Sequence, residues 1–173
     1  MGNRYECDKC PAGYYCDAEG IECASLTFGT GSCSGIKVCP KGAYCETGSA
    51  LPTECGPGFY RSDSARQAAV NQTSCSLCPS GYYCDEYGMH DDDSDALKLI
   101  KNCPQGSYCP PGSILPEPCD AGSYGDGENF RSSFECKLCD PGYYCPNRSM
   151  TQRGPECAAG QGWKCSSVIP EFT

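Results

Sequence analysis

The chain has 173 residues, 19 of them cysteine, and its 22 acidic side chains against 13 basic ones give a net charge of −9. Leu, Ile, Val and Phe together number 20, which excludes an ordinary apolar core and, with this charge, would describe a disordered chain were the cysteines absent. The acidic balance argues against a nucleic-acid partner, which needs a basic footprint, and against anionic membrane surfaces; no apolar run is long enough to span a bilayer.

The cysteines fall in a recurring block. Its first copy is Cys7-Asp8-Lys9-Cys10-Pro11-Ala12-Gly13-Tyr14-Tyr15-Cys16. An inserted pair, Cys23 and Cys33, follows. A second motif, Cys39-Pro40-Lys41-Gly42-Ala43-Tyr44-Cys45, leads into a tail, Gly48-Ser49-Ala50-Leu51-Pro52-Thr53-Glu54-Cys55. The first block returns as Cys75-Ser76-Leu77-Cys78-Pro79-Ser80-Gly81-Tyr82-Tyr83-Cys84. The second returns as Cys103-Pro104-Gln105-Gly106-Ser107-Tyr108-Cys109, with its tail Gly112 to Cys119, both offset by 64 residues. A third copy of the block runs from Cys136 through Cys139 to Cys145, and a stretched pair, Cys157 and Cys165, closes the series with Trp163 near the usual Tyr. A fixed period predicts stacked modules, each contacting mainly its neighbours. The boundaries are 1–54 (incomplete at its N-terminus, with an insertion at 17–36), 55–118 and 119–173.

Cysteine at this density implies an oxidising, extracellular compartment and a small disulfide-rich fold. Each closed loop of 15–30 residues removes unfolded-state entropy on the order of 3 kcal/mol, so bridges replace the missing core and reduction is expected to unfold the chain. Two sequons, Asn71-Gln72-Thr73 and Asn147-Arg148-Ser149, predict N-linked glycans on exposed loops.

Gly13, Gly42, Gly58, Gly81, Gly106, Gly122 and Gly142 occupy one place in the repeat, where a turn needs φ > 0, with Pro pre-setting the φ before it. Ten of the 12 tyrosines follow these glycines. They are expected to stack on disulfides and on one another with hydroxyls near water; an exposed aromatic stripe for a ligand is the functional alternative. Short two-stranded ribbons are predicted at Gly-Tyr-Tyr-Cys. A helical turn or two is predicted at Ser64–Val70 and at Ser94–Lys101, the latter capped by Ser94 or Asp95.

The Cys-Pro-x-Gly-x-Tyr units and the Cys-x-x-Cys pairs resemble the cysteine-rich repeats of ephrin-receptor-like extracellular proteins and, more distantly, tumour-necrosis-factor-receptor modules. The resemblance covers nearly the whole chain. It implies a mostly irregular, elongated tandem array with short β-ribbons. In the receptor-like modules the first cysteine pairs with the second, the third with the fifth and the fourth with the sixth. Carried over, this implies Cys55–Cys75, Cys78–Cys103 and Cys84–Cys109, then Cys119–Cys136, Cys139–Cys157 and Cys145–Cys165. In the first module it implies Cys10–Cys39 and Cys16–Cys45, with Cys23–Cys33 local to the insertion. The insertion and the doubled Cys-Pro-x-Gly-x-Tyr-Cys motif depart from the receptor pattern, so nearest-neighbour bridging stays open as the competing connectivity.

Cys7 is left without a partner in this chain. Its expected partner precedes residue 1, and Ser166 to Thr173 echoes the tails that precede Cys55 and Cys119, so the chain reads as a window cut from a longer array. A free or intermolecular thiol at Cys7 is the alternative.

Other chemistry has little support. The three Cys-x-x-Cys pairs lie too far apart for a zinc module, and no βαβ pattern suits thioredoxin-like exchange. His90 is the only histidine; its acidic surroundings predict a solvated side chain, not a catalytic base. The run Asp91-Asp92-Asp93-Ser94-Asp95 lacks the spacing of an EF-hand, which leaves a solvated acidic loop with a weak Ca²⁺ site as the alternative. Asp126-Gly127-Glu128-Asn129 reads as a turn. No catalytic, metal or cofactor residue is therefore expected. The sequence predicts a non-enzymatic structural or adhesive segment of an extracellular surface, matrix or filament protein. Its expected partners are other copies of itself or neighbouring modules, and N-linked glycans, with no nucleic acid and no membrane insertion. The alternative is a receptor ectodomain fragment that binds a protein ligand through its insertions, Asp17–Ile36 and Asp85–Asn102.

Overall fold

A computed structural model describes residues 10–17, 36–61, 69–91 and 99–157. Among these the regular structure is short: β1 (Tyr14–Cys16), β2 (Ile36–Val38), β3 (Ala43–Tyr44), β4 (Thr53–Glu54), β5 (Phe59–Tyr60), β6 (Ser76–Leu77), β7 (Tyr82–Tyr83), β8 (Lys101–Asn102), β9 (Ser107–Tyr108), β10 (Glu117–Pro118), β11 (Ser123–Tyr124) and β12 (Lys137–Leu138). Two single 3-10 turns span Gln72–Ser74 and Ser133–Glu135. Antiparallel pairing joins β1 to β2, β3 to β4, β7 to β8, β9 to β10 and β11 to β12. The predicted ribbons at Gly-Tyr-Tyr-Cys are present at Tyr14–Cys16 and Tyr82–Tyr83, whereas at the third copy Tyr143 makes only an isolated bridge to Glu156. Of the two predicted helical turns, 64–68 and 94–98 lie outside the described residues. The remaining ends are not helical: Leu99 makes an isolated bridge and Lys101 lies in β8.

One local event generates the repeat. The carbonyl of the residue after each opening cysteine accepts from the N–H three residues on, as in Tyr14 N to Pro11 O (3.1 Å), Tyr82 N to Pro79 O (3.1 Å) and Tyr143 N to Asp140 O (3.0 Å). The glycine at the third position of every such turn has φ between 69° and 90°, which makes these type II turns. Proline plays a different part from the one expected. In Cys-Pro-x-Gly it is the first turn residue and supplies the accepting carbonyl. Only Pro57 and Pro141 stand at the second position, where a fixed φ helps the turn.

The turn sets the disulfides and corrects the pairing carried over from the receptor modules. Reversal followed by a short strand brings cysteines six residues apart face to face, with Cα–Cα 5.9 Å, in Cys10–Cys16, Cys39–Cys45, Cys78–Cys84, Cys103–Cys109 and Cys139–Cys145. That separation is the common one for a disulfide. The pairs Cys10–Cys39, Cys16–Cys45, Cys78–Cys103, Cys84–Cys109, Cys139–Cys157 and Cys145–Cys165 therefore do not form. Cys157 is disulfide-bonded, but not to Cys139. The two longer links are as expected: Cys55–Cys75 and Cys119–Cys136. Their turns carry Arg61 and Gly125 where the others carry a closing cysteine, so the opening cysteine reaches the one that follows the 3-10 turn. Cys7, Cys23, Cys33 and Cys165 lie outside the described residues.

By packing, the chain divides into Met1–Ser76 with Glu86–Leu99, and Leu77–Asp85 with Ile100–Thr173; the module boundaries at 55 and 119 follow cysteine rhythm instead. Within each unit, successive turns are joined through the turn glycine. In the first unit Cys39 N donates to Gly13 O (3.0 Å), Gly13 N donates to Cys45 O (2.7 Å) and Cys55 N donates to Gly42 O (2.8 Å). The second unit repeats the pattern. Gly81 O accepts from Cys103 N (3.0 Å), Gly106 O from Cys119 N (2.9 Å), Gly122 O from Cys139 N (2.9 Å) and Gly142 O from Cys157 N (2.8 Å). A further left-handed residue in each tail bonds back to an opening cysteine: Gly48 N to Cys10 O, Gly88 N to Cys55 O, Gly112 N to Cys78 O, Asn129 N to Cys103 O and Ser149 N to Cys119 O. The structural repeat is thus one turn, and the 64-residue sequence offset spans three.

Cystines fill the interior. Cys45, Cys78, Cys84, Cys103, Cys109 and Cys119 are fully buried, and Cys39, Ala43 and Cys45 form a cluster against which Tyr15 packs. Backbone passes so close that a Cβ on Gly42 would lie 1.9 Å from the Gly88 carbonyl oxygen, whereas one on Gly48 would meet nothing within 4 Å. Both glycines are left-handed. Gly48→Ala should therefore cost about 1 kcal/mol, from φ strain alone, and Gly42→Ala more than about 2 kcal/mol, since backbone must also shift. Paired denaturation curves check this, and equal midpoints would contradict the close approach.

Candidate functional site

Each ribbon sets a tyrosine opposite a polar partner. The register places Tyr15 against Lys37, Tyr83 against Lys101 and Tyr124 against Lys137. Two residues after each tyrosine stands an aspartate bonded to the same lysine: Asp17 to Lys37, Asp85 to Lys101 (2.8 Å) and Asp126 to Lys137. The Lys37 and Lys101 ammonium groups lie 5.8 and 6.0 Å from the Tyr15 and Tyr83 ring centres. Arg153 stacks at 4.1 Å on Tyr143, whose hydroxyl donates to Glu156 (2.9 Å). The tyrosines are half-buried for the most part, and their partners are cross-strand side chains that hold the ribbons together.

Cysteine spacing did not reveal these charge pairs. The available signal was an aspartate just after the closing position of one turn and a lysine two residues before the next opening cysteine. The Asp17–Lys37 and Asp85–Lys101 pairs sit at the necks of the two insertions expected to contact a ligand. Residues 18–35 and 92–98 of those insertions lie outside the described residues.

His90 is corrected by the structure. It is 4% exposed, beside the fully buried Met89, and bridges the backbone of Arg61 and Leu99. The reason lies one turn away. Gly88 is the left-handed residue that bonds Cys55, and it carries the following segment inward. Arg61 stands at a closing position without cysteine and donates from Nη1 to Pro40 O (2.9 Å) and Ala43 O (3.0 Å). An open concavity of about 1050 Å³ lies in the first unit, lined by Pro40, Lys41, Leu51, Pro52, Tyr87 and His90 among others.

Of the acidic run, Asp91 is exposed and Asp92 to Asp95 lie outside the described residues. Among the described residues no three His, Cys, Asp or Glu side chains cluster as metal ligands, and no helix is long and apolar enough to cross a membrane. Asp126, Gly127, Glu128 and Asn129 form a bend in which Asn129 takes a φ of 59°. Asn71 and Asn147 are both exposed. Large apolar side chains recur at the surface: Val38, Leu77 and Leu138 directly precede opening cysteines, Leu51 and Leu115 lie in the tails, and Phe134 tops its 3-10 turn at 96% exposure.

No protein-family model matches the chain, and no curated protein matches it.

The charge pairs give a testable acid signature. Hydrogen bonds from Lys37 and Lys137 hold the Asp17 and Asp126 carboxyls below the usual carboxylate range, and the lysines are raised in turn. A carboxylate depressed by folding contributes stability above its unfolded value of about 3.9, and loses it as pH falls through the lower folded value. Carbonyl-detected NMR titration should place both midpoints below that value, and Lys137→Met should return Asp126 towards it. Ordinary midpoints in the parent protein would contradict the pairing.

Proposed function

We propose that this chain is a structural or adhesive segment of a larger extracellular surface, matrix or filament protein. The observation that carries the reading is the backbone link from each turn glycine to the next turn. Sequence here is spent on repeating one stacking element, and the half-buried tyrosines are used in ribbon pairing. A disulfide-rich array of this kind suits an oxidising, extracellular compartment. This reading takes the segment as non-enzymatic. The partners proposed are other copies of the array or neighbouring modules, in line with the recurring surface leucines and with symmetric or head-to-tail assembly of repeats.

The receptor reading keeps one observation of its own, the open concavity beside Leu51, Tyr87 and His90. It requires a membrane span and a signalling domain in the longer polypeptide, whereas the structural reading requires more turns of the same kind. Electron micrographs of the native particle and sedimentation of the oxidised chain separate the two. Ordered polymers or concentration-dependent association are expected. A dispersed monomer at high concentration, together with a single saturable protein ligand displaced by substitutions at Leu51 or Tyr87, would favour the receptor.

A further inference from the structure

The two sequons are built into the fold in opposite ways. Asn71 precedes the 3-10 turn Gln72–Ser74, and its Oδ1 accepts from Thr73 N (3.1 Å) and Thr73 Oγ1 (2.6 Å). The backbone bonds of this knuckle run from Ser74 N to Asn71 O and from Cys75 N to Gln72 O, both 3.0 Å. These bonds begin and end within residues 71–75, and Asn71, Gln72 and Thr73 are all exposed. Its links to other turns, Cys45 N to Ala69 O (2.8 Å) and the Cys55–Cys75 disulfide, flank Asn71-Gln72-Thr73, so these three residues can open with both links kept.

Asn147 is equally exposed, so exposure does not separate the two. The difference lies at the hydroxyl residue. Ser149 takes a φ of 59°, and its N–H donates to Cys119 O at 2.9 Å. Its carbonyl oxygen lies 2.4 Å from the place a Cβ on Gly106 would occupy. The next residue, Met150, accepts from Gly125 N at 2.8 Å. Drawing Asn147-Arg148-Ser149 out as a free strand breaks two bonds to the turn that opens at Cys119, a fully buried cysteine, and lifts Ser149 off Gly106 in the turn before it.

We infer that the sequons are unequal glycan acceptors: Asn71 is modified on the folded protein, and Asn147 only before its turn has stacked. The transferase must hold the asparagine and the hydroxyl residue two positions on at the same time. In the step, Asn Nδ2 bonds to the anomeric carbon of a lipid-linked oligosaccharide pyrophosphate. The carbon–oxygen bond to phosphate breaks, the lipid pyrophosphate leaves with the electron pair, and the amide proton passes to a base of the transferase. A segment that yields by local opening presents these groups readily, and one that yields only by undoing neighbouring turns does so rarely. Modification of Asn147 is then in competition with closure of Cys139–Cys145 and docking of its turn.

The inference takes from the extracellular reading only the place where chain and transferase meet. Its test is independent of that place. The full chain, unglycosylated and oxidised, is incubated with purified oligosaccharyltransferase and a lipid-linked donor, beside the same chain reduced and alkylated. Site occupancy is measured by mass spectrometry. The ratio of Asn71 to Asn147 occupancy should be about tenfold or more higher in the oxidised chain than in the reduced one. An equal ratio in both states, or an unmodified Asn71 in the oxidised chain, overturns the inference. Failure of the extracellular reading shows separately, as failure of the expressed chain to reach the medium with its disulfides formed.

Discussion

The turn glycine and its two backbone bonds are what the rest of this structure depends on. Because the disulfides close within single turns, they staple each turn but leave most turns unlinked to the next. A loop of about six residues closed in this way removes on the order of 2 kcal/mol of unfolded-state entropy, less than the longer Cys55–Cys75 and Cys119–Cys136 loops at about 3 kcal/mol. Cohesion from turn to turn falls to the backbone. The left-handed glycine aims its N–H and its C=O at the closing and opening residues of the following turn, and only a residue without a Cβ lets a third turn's carbonyl approach as Gly88 does at Gly42. Buried cystine sulfur then takes the place that aliphatic side chains hold in other folds.

Several smaller features follow from that stacking. Where a closing cysteine is absent, Arg61 supplies donors to the carbonyls of the preceding turn. Where the tail must turn left-handed, the position holds Gly48, Gly88 or Gly112, and at two places Asn129 and Ser149 accept the strain. The Asp17–Lys37 and Asp126–Lys137 pairs are solvent-facing and Asp85–Lys101 is part-buried; for the exposed pairs the role is register more than stability, as is general for such ion pairs. They align each ribbon so that tyrosine, lysine and aspartate meet, and they do so at three separate turns.

Much of the turn chemistry was legible in the sequence. Seven glycines at one repeat position read directly as φ > 0, and the ribbons followed from them. The disulfide pairing was less legible. Counting in 64-residue modules grouped six cysteines together and invited a receptor-like crossing pattern. The physical unit was already visible as Cys-x5-Cys, because a type II turn and a two-residue strand return the chain to its start. His90 was misplaced for a related reason. Its sequence neighbours Asp91, Asp92 and Asp93 suggest water, while its burial is decided by Gly88 and by Cys55, which is distant in sequence. The aspartate–lysine pairs join residues 11 to 20 positions apart, and their logic emerges only once each ribbon's register is known.

If backbone bonds between turns carry the cohesion, the amide protons of Gly13, Gly81, Gly106 and Gly122 report on it directly. Hydrogen exchange followed residue by residue on the oxidised chain should find these turn glycines among the slowest amides of their units, with protection lost together on reduction. Exchange at the rate of exposed loop amides in the oxidised protein would contradict the account.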